Sequence, residues 1–325
     1  MRSAELNRTE STASEGGSGI PLVLIVGPTA VGKTDISIQI AEQLGAEIVC
    51  ADSRTLYKGM DIGTAKPTPT QRRRVEHHLL DVALPDQIWN LAKFQREAGI
   101  QINEINRKGK LPIMVGGTGQ YIRAVVEGWE VPSIKGQDEL RSALEKWARE
   151  IDRRGMHRRL EVIDPEAAAR IEPNNLRRTI RALEVIFNTG RRFSEQYRRS
   201  DSIYRFLILG LYMPRPELYK RVDQRIEAMF ETGFVGEVRS LLEAGYSPEL
   251  PSMSAIGYKQ VIQHLQGKIS IEEAKKEMRR ANRVFIRRQA NWFKRSDPNI
   301  RWYTVGERTA AELVADIRFW MKKPD

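Results

Sequence analysis

Short apolar runs alternate with amphipathic segments along the first third of the chain. The run IPLVLIVG (Ile20–Gly27) is continuously apolar, as in a parallel strand buried on both faces. Helical spacing follows up to a glycine stop at Gly45, and a second apolar run, AEIVCADS, closes at Asp52. A helix around Lys93–Lys108 precedes a third run, KLPIMVGG. This alternation predicts an α/β fold in which a parallel sheet is flanked by helices.

The pattern changes between about Pro132 and Ser200, where the apolar runs stop and the chain becomes helical and arginine-rich. A further strand is expected at RFLILGLYM (Arg205–Met213), and the remainder is expected to be helical. A small helical insertion domain that interrupts the sheet explains this order of elements. We therefore expect a core formed by residues 20–131 and 201–325, with the insertion over residues 132–200.

Residues 1–19 are polar and rich in Ser, Thr and Gly, which predicts a disordered tail and no signal peptide. No apolar stretch approaches the ~20 residues of a membrane span. Cys50 is the one cysteine, so an intramolecular disulfide is excluded, and the four histidines lack cysteine pairs at zinc spacing. These features favour a cytoplasmic protein with no membrane partner, and we expect a monomer.

Positive charge is concentrated in two segments. The net charge is +11, which favours association with polyanions, although a basic protein without such a partner would carry the same charge. Between Arg153 and Arg199 there are twelve arginines and six acids, and Ile271–Arg295 has nine Lys or Arg against three Glu. Clustering of this kind is typical of a nucleic-acid surface, and a solvated charged face is the alternative.

A phosphate-binding loop follows the first predicted strand. GPTAVGKT matches G-x-x-x-x-G-K-[ST], with a strand before it and a helix after it. In such a P-loop the glycines let backbone N–H groups surround phosphate oxygens, the lysine adds charge, and the threonine can bind a metal ion, here Thr34. The candidate phosphate-binding residues are Gly27, Pro28, Thr29, Ala30, Val31, Gly32, Lys33 and Thr34. The pattern leaves open which phosphate is bound.

Asp52 follows the second predicted strand, so it is expected at the carboxyl edge of the sheet, beside the phosphate loop. Three roles fit an aspartate there. It could hold the metal ion of a kinase or NTPase, act as a general base, or only cap a turn. The third predicted strand ends in Gly116–Thr118, without an acid, so an NTPase would depend on Asp52.

Several ordered blocks of the chain resemble the tRNA dimethylallyltransferases, also called tRNA isopentenyltransferases. The resemblance extends from Ile20 to about Arg295. It rests on the phosphate loop and on DSRTLYKGMDIGTAKP, HHLLD, GGTGQY, RRTIRALEV, RVDQRIEAM, AIGYK and RRQANWF. The block DIGTAKP is not a general feature of phosphate-loop proteins. Thr55 stands where many members have glutamine, which bears on how a neighbouring tRNA base is read.

The resemblance implies transfer of a dimethylallyl group from dimethylallyl diphosphate to the N6 amine of the adenosine 3′ of the anticodon. Asp52 would accept or orient the amine proton, Thr118 would hydrogen-bond near the reacting centre, and Lys33 would stabilise the leaving diphosphate. Arg221 and Arg225 are further candidate diphosphate ligands. Mg²⁺, bound through the loop threonine, is the expected cofactor.

The resemblance makes the tRNA anticodon stem-loop the expected partner, and the target adenine has to leave its stack to react. Arg178 and Arg181 lie three residues apart in the insertion, so they share a helix face. The residues expected to contact tRNA are Asp52, Ser53, Arg54, Thr55, Thr118, Arg177, Arg178, Arg181, Lys259, Arg283 and Arg287.

Three alternative functions stay open. A prenyltransferase acting on free AMP or ATP would keep the chemistry, but a mononucleotide needs no extended basic surface. A P-loop kinase or NTPase is disfavoured by Gly-Gly-Thr at a strand end. An RNA-binding protein without catalysis would have no need of Asp52 beside an intact phosphate loop.

Overall fold

Six parallel strands form one sheet at the centre of the molecule. The computed structural model describes residues 19–129, 138–196 and 202–322. Within these ranges the strand order is β3-β2-β4-β1-β5-β6. The strands are β1 (Ile20–Val26), β2 (Glu47–Cys50), β3 (His77–His78), β4 (Pro112–Gly116), β5 (Tyr204–Tyr212) and β6 (Ile300–Thr304). The predicted parallel α/β sheet is thereby confirmed.

The central strand β1 is the most deeply buried, and its register aligns the ends of its neighbours. Residues Leu22–Val26 are fully buried, as their continuous apolar run requires. Val26 pairs with Gly116 on one side and with Gly210 on the other. Cys50 pairs with Val115. The loops that follow β1, β2 and β4 therefore begin side by side at one edge of the sheet.

Helices cover both faces of this sheet. One apolar core joins the sheet to helices that include α1, α9 and α13, and a second joins it to α3 and α4. The helices outside the predicted insertion are α1 (Lys33–Leu44), α2 (Pro69–Arg74), α3 (Leu91–Arg107), α4 (Gly119–Val126), α9 (Arg215–Glu231), α10 (Phe234–Glu243), α11 (Tyr258–Leu265), α12 (Ile271–Trp292) and α13 (Thr309–Lys322).

Residues 138–196 are helical and have a third apolar core of their own, built around side chains such as Leu144, Met156 and Leu183. The helices are α5 (Asp138–Ile163), α6 (Pro165–Ala169), α7 (Leu176–Thr189) and α8 (Phe193–Gln196). α5 is broken at Asp152, where φ is +63°, and the Asp152 carboxylate accepts the N–H of Gly155 at 2.8 Å to restart the helix. The division of the chain into a core and an insertion domain stays a prediction.

The expectation that the chain is helical beyond β5 is wrong at one place. β6 adds a sixth strand, because Ile300–Thr304 lies parallel to the buried strand β5 and pairs with it over Ile208–Tyr212. The run IRWYT is rich in the β-branched and aromatic residues that favour strands, but it is only five residues long and its burial does not alternate. The predicted tail, residues 1–19, lies outside the described residues except for Gly19. Among the described helices, none has the length and apolar character needed to cross a membrane.

Candidate active site

The phosphate loop connects β1 to α1 and has its lysine folded back onto it. Lys33 Nζ donates to the carbonyl oxygens of Gly27 and Pro28, at 3.0 and 2.8 Å. Gly32 has φ +102°, a left-handed conformation that a side chain would strain. The loop thus leads directly into the N-terminus of α1, where anions bind favourably.

Lys33 is in an environment that makes its charge costly. Burial lowers the pKa of Lys33 to about 8, Asp52 opposes this by favouring the charged form, and Arg225 adds to it. A bound anion would favour the protonated amine in the same way that Asp52 does. The site therefore holds buried positive charge that a bound diphosphate would stabilise.

Asp52 and Thr118 lie next to each other at the ends of β2 and β4. Asp52 Oδ1 accepts the backbone N–H of Arg54 at 2.8 Å, and Thr118 Oγ1 accepts the backbone N–H of Ser53 at 3.2 Å. The two loops approach so closely that a Cβ at Gly116 would lie 2.1 Å from Ala51 O. Tight backbone packing thus sets the spacing of the two predicted catalytic side chains.

Two arginines of α9 reach the phosphate loop. Arg225 Nη2 donates to Thr29 Oγ1 at 3.1 Å, and Arg221 Nη1 donates to Val31 O at 3.3 Å. Burial lowers the pKa of Arg225, with Asp52 opposing the shift. Both guanidinium groups are therefore held by contacts at the loop, as expected for groups that would contact a diphosphate.

A cavity of about 400 Å³ brings most of the predicted catalytic and diphosphate residues together. Its lining includes Thr29, Ala30, Gly32, Lys33, Thr34, Asp52, Thr55, Arg221 and Arg225. Residues 64–67 and Leu80 also line it. Thr118 does not line this cavity but contacts the residue that follows Asp52.

Thr55 and Lys66 are polar residues buried in the cavity wall. Thr55 is 7% exposed, and within the described structure its hydroxyl has no hydrogen-bond partner. Lys66 Nζ binds the carboxylates of Asp61 and Asp81, at 2.7 and 2.5 Å. Lys66 is part of the DIGTAKP block but was not among the site residues predicted from the sequence. Its ion pairs join this part of the cavity lining to Asp61 and Asp81.

The predicted tRNA-contacting residues are in different situations. The guanidinium of Arg54 donates to Pro251 O at 2.7 Å, and that of Arg283 to Asp223 Oδ2 at 3.1 Å. Both are therefore engaged within the protein. Lys259 and Arg287 are exposed.

The arginines of α7 are exposed and lie outside the cavity. Arg177, Arg178 and Arg181 all face solvent, and Arg181 Nη1 is 3.5 Å from Glu184 Oε2. Burial of Thr179, Ile180 and the run Ala182–Ile186 on the other side of α7 keeps these arginines at the surface. Their contact with tRNA stays a prediction.

Gln289 is a site residue that was not predicted from the sequence. It lies on α12, accepts the backbone N–H of Thr29 at 2.8 Å through Oε1, and donates through Nε2 to Gly117 O at 3.1 Å. One signal could have found it: the buried side of α12 runs Met278, Asn282, Ile286, Gln289, and a buried polar residue needs partners.

The chain is similar to known proteins over most of its length. A model of the family described as IPP transferase matches residues 55–296. A tRNA dimethylallyltransferase of Roseiflexus sp. (strain RS-1) is 48% identical over 281 residues, 86% of this chain and 92% of that protein. Another, from Thermomicrobium roseum, is 47% identical over 285 residues, 88% of this chain and 86% of that protein.

The chain belongs to the IPP transferase family.

Solved structures agree with this membership. A tRNA isopentenylpyrophosphate transferase from Bacillus halodurans matches with a TM-score of 0.69 and 38% identity, covering 92% of this chain and 96% of that one. A eukaryotic dimethylallyltransferase acting on tRNA matches with a TM-score of 0.78 and 27% identity, covering 94% and 80%. The resemblance to the IPP transferase family and the predicted fold are both confirmed. The roles of individual site residues stay predictions.

Proposed function

We propose that the protein transfers a dimethylallyl group from dimethylallyl diphosphate to the N6 amine of the adenosine 3′ of the anticodon in tRNA, releasing diphosphate. One observation carries the proposal. The phosphate loop and Asp52 line the same cavity, so a diphosphate and an amine nucleophile can be held within reach of each other. The names of the related IPP transferases support the same donor and acceptor.

The reaction forms one bond and breaks one. The N6 nitrogen attacks the allylic carbon, the bond from that carbon to the diphosphate oxygen breaks, and the nitrogen loses a proton. Asp52 is a carboxylate in the cavity that would accept or orient this proton, since one of its oxygens accepts the Arg54 N–H and the other does not share that bond. An adenine amine is a weak nucleophile, so positioning supplies much of the rate.

The leaving diphosphate gains negative charge as the bond breaks. Lys33, Arg221 and Arg225 converge on the loop and would stabilise that charge in a partly buried site, where charges act strongly. Burial lowers the pKa of Lys33 to about 8, and a bound diphosphate would favour the charged amine and keep it protonated to higher pH.

A magnesium ion fits the oxygen chemistry of the site. Mg²⁺ is usually bound by one or two protein oxygens together with substrate phosphates, and the Thr34 hydroxyl and the Asp52 carboxylate line the cavity. Within the described residues, no cluster of three or more His, Cys, Asp or Glu could hold a metal ion by protein ligands alone. Thr34 would therefore hold Mg²⁺ jointly with the donor, where the ion would neutralise diphosphate charge.

The acceptor is proposed to be a base splayed out of an anticodon stem-loop. The exposed arginines of α7, with Lys259 and Arg287, would contact the RNA backbone, and Thr55 offers a buried hydroxyl to a group inside the cavity. We further propose that the protein acts as a monomer in the cytoplasm, where its tRNA substrate is found.

Transfer of labelled dimethylallyl diphosphate tests the proposal, with unmodified tRNA, AMP and ATP offered as separate acceptors. We expect label in tRNA alone, at the adenosine 3′ of the anticodon. Label in AMP or ATP would keep the chemistry and overturn the choice of acceptor. ATP hydrolysis without any prenyl transfer would overturn the proposal altogether.

A further inference from the structure

One buried amide connects the two loops of the site. Gln289 is 4% exposed, and its Oε1 and Nε2 contact Thr29 and Gly117, residues that lie 260 and 172 positions away in the chain. Thr29 belongs to the phosphate loop, and Gly117 directly precedes Thr118. A single side chain thus reaches both the proposed donor end and the proposed acceptor end of the site.

The fit around this amide is close. A Cβ added at Gly117 would lie 2.4 Å from Gln289 Nε2, so glycine is the residue that leaves room for the amide. One turn further along α12, the Trp292 side chain packs on Gly119, where a Cβ would lie 2.3 Å from the indole. Arg123 Nη2 donates to Trp292 O at 3.1 Å. The end of α12 is therefore docked onto the Gly-Gly-Thr loop.

The same helix has a basic outer surface and is braced against α9. Arg287 and Arg288 are exposed immediately before Gln289. Earlier along α12, Arg279 pairs with Glu227 and Arg283 with Asp223, both on α9. Since α9 also provides the Arg225 contact to Thr29, both α9 and α12 contact the phosphate loop at this residue, and ion pairs join the two helices to each other.

We infer that Gln289 is a positioning residue that sets the separation of the donor loop and the acceptor loop and couples RNA binding at α12 to diphosphate binding. RNA held at Arg287 and Arg288 would restrain the end of α12, which restrains the amide and with it the Thr29 N–H. This inference rests on the proposed function, because it assigns the acceptor end to RNA.

The physical consequence of removing the amide is misalignment. Without it, a backbone N–H in the phosphate loop and a carbonyl before Thr118 no longer share a partner, and the loops can shift independently. Misplacement by ~1 Å can cost ~10²-fold in rate. Binding of RNA alone depends on surface charge and should change little.

The test compares Gln289→Met with Asn282→Leu. Asn282 is a buried amide of the same helix whose Nδ2 donates to Met278 O, within α12 itself, so its replacement controls for general damage to the helix. Steady-state transfer to tRNA yields kcat and KM. The affinity for inorganic diphosphate with Mg²⁺ is measured with and without a stem-loop RNA that has purine, lacking the exocyclic amine, at the target position.

We expect RNA to tighten diphosphate binding at least ~5-fold in the wild type and in Asn282→Leu, the usual lower range of coupling between sites. In Gln289→Met we expect this tightening to disappear and kcat to fall ~10²-fold, with the affinity for RNA alone within about 3-fold of wild type. A kcat equal to that of Asn282→Leu, or undiminished tightening, overturns the inference.

A second variant keeps the test decisive if Gln289→Met does not fold. Gly117→Ala leaves Gln289 in place but puts a methyl group where its Nε2 lies, and Gly117 has no positive φ that alanine would strain. We expect the same loss of coupling from Gly117→Ala, and retained coupling overturns the inference. Failure of the proposed function has a separate sign, because wild-type protein would then transfer no label to tRNA.

Discussion

Arg225 donates a hydrogen bond to the Thr29 hydroxyl at 3.1 Å, joining α9 to the phosphate loop across 196 residues of sequence. Arg225 and Lys33 are both partly buried and both lie near Asp52, which favours their charged forms. These two cations and this carboxylate thus lie in one cavity, whose lining also includes Arg221, Lys66 and Asp35. The arrangement gives the carboxylate two electrostatic neighbours that a bound diphosphate would compete for, so donor binding and the reactivity of Asp52 should be linked.

Replacing Lys33 by alanine should abolish turnover and leave tRNA binding nearly unchanged. The lysine contacts the loop carbonyls and would contact diphosphate, whereas the exposed arginines would bind RNA. We expect transfer to fall by ~10³-fold or more, measured with labelled donor, as for removal of a group that stabilises transition-state charge. Loss of tRNA binding in a normally folded variant would contradict this division of roles.

Asp52→Ala should slow the chemical step much more than it weakens either substrate. General-base groups contribute ~10²- to 10⁴-fold, so single-turnover transfer should fall within that range. Dissociation constants for tRNA and for inorganic diphosphate should each change far less than the rate does. A single-turnover rate close to that of wild type would remove Asp52 as the base.

Replacing Arg178 and Arg181 together by alanine should weaken tRNA binding and flatten its salt dependence. The slope of log K against log salt is negative, and each arginine that binds a phosphate contributes about 1 to its magnitude. The magnitude should therefore fall by about 2 in the double variant. A matched control removes two exposed arginines from α3, Arg96 and Arg107. If the control lowers the slope as much as the α7 pair does, tRNA lies elsewhere on the surface.

Diphosphate binding should weaken as the pH rises through about 8. Burial lowers the pKa of Lys33 to about 8, so the amine is charged below that pH and neutral above it in the free protein. An anion prefers the charged form, and its dissociation constant should therefore rise between pH 7 and pH 9. Lys33→Met supplies the baseline, including titration of diphosphate itself. A wild-type profile parallel to that of Lys33→Met would show that this lysine does not titrate in the range.

Gly116→Ala should destabilise the fold and not merely the site. Its new Cβ would lie 2.1 Å from Ala51 O, a backbone atom of the neighbouring strand end that cannot move aside cheaply. Overpacking of this kind costs ~1–3 kcal/mol, and a lower Tm in thermal unfolding is expected. Gly236→Ala is the comparison, because a Cβ there meets nothing within 4 Å and a helix gains stability from alanine. Equal Tm values for the two variants would contradict the close packing of Gly116.

The residues of the candidate site differ in how far local sequence could predict them. The phosphate loop is a contiguous pattern with a strand before it and a helix after it. Lys33 and Thr34 could therefore be placed in a phosphate-binding loop from the sequence alone. Asp52 and Thr118 could be placed at strand ends, because parallel strands that follow one another end at one edge. Which contacts they make could not be predicted, since these depend on the register between β2 and β4.

Two residues predicted to contact tRNA make contacts with segments distant in the chain, which the sequence did not indicate. Arg54 is predicted to contact tRNA, which stays a prediction, and its guanidinium donates to the carbonyl of Pro251, 197 residues away. Arg283 is paired with Asp223 on another helix. The sequence around each arginine does not predict its partner, because an arginine exposed to solvent and one in an internal contact can have the same neighbours in the chain.

By itself, the sequence determined the parallel α/β fold, the phosphate loop and the family. Each can be recognised from short apolar runs or from contiguous blocks of residues, without knowing which distant segments meet. The tertiary structure decided the sixth strand, the burial of Thr55 and the double contact of Gln289 with Thr29 and Gly117. These features arise where segments distant in the chain meet, and burial and hydrogen bonding there depend on which surfaces the whole fold brings together.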